Sequence, residues 1–215
     1  MKKPRVLMAD DHSLILAGLR RLVEAECDVV GAVEDGRTLM EAAQKLRPDL
    51  ILLDIAMPLL NGLEAARQLH TLVPDSKLLF LTMHASPTYA TEAFQIGASG
   101  YLLKRSAASE LSLAIKSVLQ GQHYLTPLIT KDVLETVLKP STGERSKGAF
   151  TALTSRQREV LQLVAEGRGT KAIATILNVS VKTVEFHKAR IMRQLGIHTT
   201  ADLTKYAITH GITGL

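Results

Sequence analysis

In this chain, residues able to handle charge or phosphate recur at one kind of place, directly after short apolar runs. Asp10 and Asp11 follow Arg5–Ala9, Asp54 follows Leu50–Leu53, Thr82 follows Leu78–Leu81, and Lys104 follows Tyr101–Leu103. If those runs are neighbouring strands of an open parallel sheet, the residues just past their carboxyl ends converge on one crevice. Three carboxylates, a hydroxyl and an ammonium gathered there suit a hard divalent cation together with a phosphoryl group. Without the cation the carboxylates repel one another strongly at close range. A carboxylate beside such a cation can attack phosphorus, and Asp54 is the candidate. Asp11 and Asp54 would give oxygens to the metal, with Asp10 acting directly or through water. Lys104 would set a point positive charge against phosphoryl oxygens, and Thr82 would offer a hydroxyl hydrogen bond.

The elements that position these residues alternate over the first 121 residues. Apolar runs at Val6–Ala9, Val29–Val33, Leu50–Leu53, Leu78–Leu81 and Gly100–Leu103 are separated by helical patterns, which is the signature of a parallel sheet with crossover helices. The first helix carries Leu14, Ile15, Leu19, Leu22 and Val23 at helical spacing. Asn61 followed by Glu64 reads as a helix start, and Pro74 stops that helix. The run Leu50–Leu53 is apolar throughout, as for a strand covered on both faces. Five strands and five helices predict a small, doubly wound α/β unit.

From residue 122 the pattern changes. Thr126–Leu138 predicts a helix with Ile129, Val133, Val137 and Leu138 along one side, and Lys139 to Gly148 has the composition of a linker. Residues 151–215 read as helices only. Thr154 to Gln157 forms a capping box, Thr170 is read as the cap of a short helix, and Ser180 caps a longer helix running to Gly196. A last helix begins near Thr199. A short helix, a tight turn and a longer basic helix predict a helix-turn-helix. The expected organisation is therefore 1–121, a partly helical linker at 122–150, and 151–215.

Charge divides the same way. Of the 26 Lys/Arg and 21 Asp/Glu, 13 and 14 lie in residues 1–125, and 13 and 7 in residues 126–215. The surplus behind the net charge of +5 thus belongs to the C-terminal part, as expected of a nucleic-acid-binding module joined to a neutral one. The single cysteine, Cys27, cannot form an internal disulfide and suits a reducing compartment. With neither a leader-like apolar stretch near the N-terminus nor a run of about 18 apolar residues, the expectation is a cytoplasmic protein that does not enter a membrane.

With these residues in view, 5–121 resembles the receiver domain of two-component systems, a flavodoxin-like fold of five parallel strands. The acidic pair, Asp54, Thr82, Tyr101 and Lys104 stand in that family's order, and Gly97 to Lys104 matches its last strand. The resemblance implies that Asp54 is the phosphoacceptor, that Asp10 and Asp11 handle Mg2+, and that Thr82 and Tyr101 are switch residues. The C-terminal part resembles the LuxR-type helix-turn-helix of NarL/FixJ response regulators through Leu153 to Leu161, Glu166-Gly167, Lys171 to Ala174, Leu177, and Thr183 to Gly196. That implies entry of Ser180–Leu195 into the major groove of double-stranded DNA. Lys182, Lys188, Arg190 and Arg193 are then candidates for phosphate or base contact, and Thr183 for a phosphate at the helix N-terminus. Val184, Ile191 and Leu195 are expected in the core.

Some residues depart from the pattern. Glu185 stands where many relatives carry Lys, either accepting a hydrogen bond from cytosine N4 or pairing with Lys182 or Lys188. Phe186 touches a thymine methyl or fills an apolar gap. His187 donates to a phosphate or packs internally. Gly169 weakens the cap of the short helix. Met57, Leu59 and Leu60 read as core or docking surface, and so do Leu14, Ile15, Ala17 and Gly18, which could meet a kinase. The resulting expectation is a transcriptional regulator rather than an enzyme. A sensor histidine kinase would phosphorylate Asp54, and rearrangement of Thr82 and Tyr101 would alter the face built from the fourth and fifth helices, favouring a homodimer or release of the second domain. A signalling module whose helical part binds protein or RNA is the alternative. An aspartate-nucleophile phosphatase is rejected, because Ala56 stands where its second acid would be.

Overall fold

The computed structural model describes residues 2–138 and 153–213, which fall into two compact units. The linker expected from Lys139 to Gly148 lies outside the described residues.

The first unit runs β1 (Arg5–Ala9), α1 (Ser13–Glu24), β2 (Asp28–Val33), α2 (Gly36–Leu46), β3 (Leu50–Leu53), α3 (Gly62–Leu72), β4 (Lys77–Thr82), α4 (Pro87–Ile96), β5 (Gly100–Leu103), α5 (Ala107–Leu119), β6 (Tyr124–Leu125) and α6 (Pro127–Leu138). The strands are all parallel, in the order β2-β1-β3-β4-β5-β6. The expected α/β doubly wound sheet is present with six strands rather than five. The sixth is two residues long, too short to show any alternation in sequence. Thr126 ties it in: its N–H donates to the Tyr101 carbonyl, and its Oγ1 accepts from Leu103 N–H at 3.1 Å.

Alternation along the strands builds two apolar layers. Val6, Met8, Leu50, Leu52, Leu79, Leu81 and Leu102 join Leu16, Leu19 and Val23 of α1 and Leu111, Ile115 and Val118 of α5. The intervening residues Leu7, Ile51, Phe80 and Tyr101, all fully buried, take the other face. Within α1, Leu16, Leu19 and Val23 are core, whereas Leu14 is 85% exposed. The predicted helix at 126–138 forms as α6 and packs on α4. Ile129 and Val133 are buried there, but Val137 and Leu138, expected on the same side, are exposed.

The described residues of the second unit form four helices: α7 (Ser155–Ala165), α8 (Thr170–Ile176), α9 (Val181–Leu195) and α10 (Thr200–Thr209). Thr154 and Gln157 form the capping box of α7, and Ser180 Oγ accepts from Thr183 N–H at 3.1 Å to cap α9. The cap of α8 is Gly169, without a side-chain hydrogen bond, and Thr170 is its first helical residue, contrary to expectation. The turn between α8 and α9 passes through Asn178 at φ 51, a left-handed conformation that Asn tolerates better than most residues. Leu161, Val164, Ile173, Leu177, Val184, Ile191 and Leu203 make its core, and Leu195 packs against it partly buried. Among the described residues no helix is long and apolar enough to cross a membrane.

Candidate functional site

Strand register assembles the acidic residues. Ala9 pairs with Leu53 across β1 and β3, so Asp10 and Asp54 are the next residue on adjacent strands. Asp54 N–H donates to the Ala9 carbonyl at 2.9 Å, holding the two ends level. Thr82 pairs with Leu103 across β4 and β5, which puts Lys104 just beyond. The chain reverses its winding direction between β1 and β3, the place where parallel sheets open a crevice.

Within that crevice Lys104 is the cation. Its Nζ lies 2.7 Å from Asp10 Oδ2 and 2.7 Å from Asp54 Oδ2, and all three side chains are 5% exposed or less. Burial is the largest single effect and works against the charged lysine, but the Asp54 charge, the hydrogen bonds to Asp10 and Asp54 and the Asp10 charge together outweigh it. The ammonium is held above its ordinary pKa. The other oxygens are engaged by the backbone: Asp54 Oδ1 accepts from Ile55 N–H at 2.6 Å, and Asp10 Oδ1 from His12 N–H at 3.0 Å.

Asp10, Asp11, His12 and Asp54 each offer a ligand atom within 4.8 Å of the others. Hard carboxylate oxygens with Asp11 on the exposed side match a divalent cation that keeps several waters. All three acids expected at the metal are therefore together. His12, with Nδ1 2.7 Å from Asp11 Oδ1, was not foreseen, and its position beside the acidic pair was the available signal.

Two further residues went unseen in the sequence. His84, in the β4–α4 loop, donates its N–H to Thr82 Oγ1 at 3.3 Å and accepts from Tyr101 Oη on its carbonyl at 2.7 Å. Both expected switch residues thus meet on one backbone unit. Burial, with Tyr89 and Asp54 adding, pushes the Tyr101 phenol upward, so it stays a donor. Gly62 opens α3 under Asp54: a Cβ there would lie 1.9 Å from the Asp54 carbonyl oxygen, and Gly62 N–H donates to the Ile55 carbonyl. Only glycine admits that approach.

In the second unit, α9 presents Lys182, Glu185, Phe186, Arg190 and Arg193 to solvent, with Lys188 half-buried. Lys188 Nζ donates to Thr200 Oγ1 at 2.8 Å. Phe186 is 60% exposed and so fills no core gap. The Thr183 hydroxyl is 2.8 Å from Ser180 Oγ, engaged in the cap. His187 packs inward with Nδ1 enclosed and unpartnered, and burial, then the charges of Arg156 and Arg190, pushes its imidazole down. A neutral, packed ring is what these surroundings favour.

The geometry has counterparts elsewhere. Residues 6–116 match the response regulator receiver domain, and residues 151–207 match the luxR family of bacterial regulatory proteins. The chain is 37% identical over 95% of its length to the oxygen regulatory protein NreC of Staphylococcus epidermidis, covering 96% of that protein. It is 35% identical over 97% of its length to the transcriptional regulatory protein DegU of Brevibacillus brevis, covering 94% of that protein. The RcsB response regulator of Salmonella typhimurium, solved in a study of conformational dynamism for DNA interaction, is similar at a TM-score of 0.60. That match has 26% identity and covers 96% of this chain and 98% of RcsB.

Proposed function

The chain belongs to the response regulators that join a receiver domain to a LuxR-family DNA-binding domain, and on that premise we propose that phosphorylation of Asp54 by a sensor histidine kinase controls its sequence-specific binding to duplex DNA. One observation carries the reading: at the reversal point of the sheet, beside Thr82, the enclosed Lys104 ammonium lies 2.7 Å from both Asp10 and Asp54. A structural ion pair needs one acid, whereas this lysine holds two carboxylates next to a third.

Asp10, Asp11 and Asp54 would hold Mg2+, which when bound would offset their charge and orient phosphoryl oxygens. The remaining work falls to the chain itself. Asp54 Oδ forms the bond to phosphorus as the donor's P–N bond to imidazole breaks, giving an acyl phosphate. Lys104 then faces a dianion in addition to Asp10. Thr82 Oγ1 already accepts from His84 N–H, so its own proton is free to be given to a phosphoryl oxygen. Drawing Thr82 inward shifts His84, and Tyr101 Oη follows or loses its carbonyl. In this way charge at Asp54 reaches the β4–α4 loop and the face formed with α5, where it favours a homodimer. Leu14, Ala17 and Gly18, exposed on α1, with Ile15 partly buried beside them, would be the apolar patch on which the kinase docks.

On the DNA side, Lys182, Lys188, Arg190 and Arg193 supply phosphate contacts, Thr183 the helix N-terminus, and Glu185 and Phe186 the base edges. The exposure of this basic face of α9 supports duplex DNA over a protein partner. Asp54→Asn tests the phosphorylation reading: labelling by acetyl phosphate in the presence of Mg2+ should disappear, and labelling at wild-type yield would sink the assignment.

A further inference from the structure

Helix α9 has a single acid, Glu185, among Lys182, Lys188, Arg190 and Arg193. Buried Val184 and Ile191 fix its inner face. At 100° per residue, Lys182, Glu185, Phe186 and Ala189 spread over the other side of its N-terminal half, and all four are exposed. That half is the part of a recognition helix that meets base edges. Among the described residues the carboxylate has no ion-pair partner, and Lys188 is taken up by Thr200.

A carboxylate on this face is a liability for holding phosphates, since it repels them and adds nothing to affinity for duplex of arbitrary sequence. What it can do that no neighbour on α9 does is accept hydrogen bonds as an anion. The major groove shows two amino donors, adenine N6 and cytosine N4. Adenine sets its N7 acceptor beside the donor, which opposes a carboxylate, whereas cytosine sets a C–H there. The side chain of Ala189, one turn on, is small enough to leave that approach open.

We propose that Glu185 is the specificity-determining residue of α9, accepting a hydrogen bond from a cytosine amino group in each half-site, with exposed Phe186 beside it adding apolar contact. The inference rests on α9 as the DNA-reading helix. The carboxylate lowers affinity for other sequences through the same charge by which it reads cytosine, so it widens the gap between right and wrong sites from both ends.

The test is selection from a random-duplex library by the full chain with beryllofluoride and Mg2+, using wild type, Glu185→Ala and Glu185→Gln. Wild type should select a cytosine at one position of each half-site, and replacing it should weaken binding roughly ten- to a hundredfold. Glu185→Ala should erase the preference at that position alone, while its affinity for unrelated duplex stays equal or rises. Glu185→Gln should move the preference to adenine, which glutamine matches through N6 and N7. An unchanged selected sequence in Glu185→Ala, or a uniform loss of affinity for every duplex, would overturn the proposal. Wild type that selects no sequence at all would instead overturn the DNA reading beneath it.

Discussion

Replacing Lys104 by methionine is the sharpest perturbation the structure offers, because one side chain then stops separating two buried carboxylates. Its Nζ is 2.7 Å from both Asp10 and Asp54. With the ammonium gone, ligand oxygens within 4.8 Å of one another face each other unscreened. At an effective dielectric near 20 their repulsion is roughly 3 kcal/mol. Removing one partner of a buried ion pair costs about 3–5 kcal/mol by comparison with other proteins, so the two routes agree. In urea titrations followed by circular dichroism with EDTA present, Lys104→Met should lose about that much stability. Adding Asp54→Asn to it should restore roughly 2–3 kcal/mol, because a neutral amide removes the repulsion while keeping the shape. Millimolar Mg2+ should stabilise Lys104→Met more than wild type, since the cation takes over the neutralisation. Wild-type stability of Lys104→Met in EDTA, or a double variant no more stable than the single one, would refute the reasoning.

Gly62→Ala should destabilise by about 3 kcal/mol or more, because its Cβ would stand 1.9 Å from the Asp54 carbonyl oxygen and only backbone movement relieves it; an unchanged melting temperature would show that α3 approaches less closely. Tyr89, pushed up to about 12 by burial and then Glu92, and Tyr101, raised by burial first, are held as neutral phenols. Their contribution to stability is complete below the unfolded value near 10 and is lost as pH rises toward the folded values. Phenolate absorbance at 295 nm should therefore appear together with alkaline unfolding, and smooth titration of every tyrosine near pH 10 in the folded protein would contradict this. Lys182→Ala should lower the log–log salt slope of DNA binding by about one unit, and Lys188→Ala by less, because Thr200 already engages its ammonium; fluorescence anisotropy over a salt series decides, and altered base preference at unchanged slope would count against it. Beryllofluoride with Mg2+ should raise the dimer fraction in sedimentation together with DNA affinity, and a persistent monomer that binds DNA tightly would exclude dimerisation as the switch.

The pocket was legible because each of its residues follows an apolar run, and parallel register does the rest: Ala9 opposite Leu53 makes Asp10 and Asp54 neighbours without further information. What was illegible depends on geometry between segments. Nothing about His84 marks it in sequence, because Tyr101 bonds its backbone carbonyl, a group every residue has. The need for glycine at 62 arises from the Asp54 carbonyl just past β3, eight residues earlier, and not from its own surroundings in the chain. Tyr124 and Leu125 form a strand only because β5 offers its edge and Thr126 fastens the end. In α6, an apolar side was visible but its partner was not, so Val137 could not be told from Val133. In α9, the periodicity of Val184 and Ile191 separated core from surface, whereas the freedom of Glu185 required knowing that Lys188 turns to Thr200.

A sheet that ended at β5 would leave four consecutive apolar residues, Gly100–Leu103, with one row of peptide groups open to any passing extended chain. The strand that covers them is only two residues long, and the chain enters α6 two residues later at Pro127, which has no N–H to offer. The new border is too short to template another strand. Resistance to edge-to-edge aggregation is thereby built into a segment whose composition resembles the start of a tether.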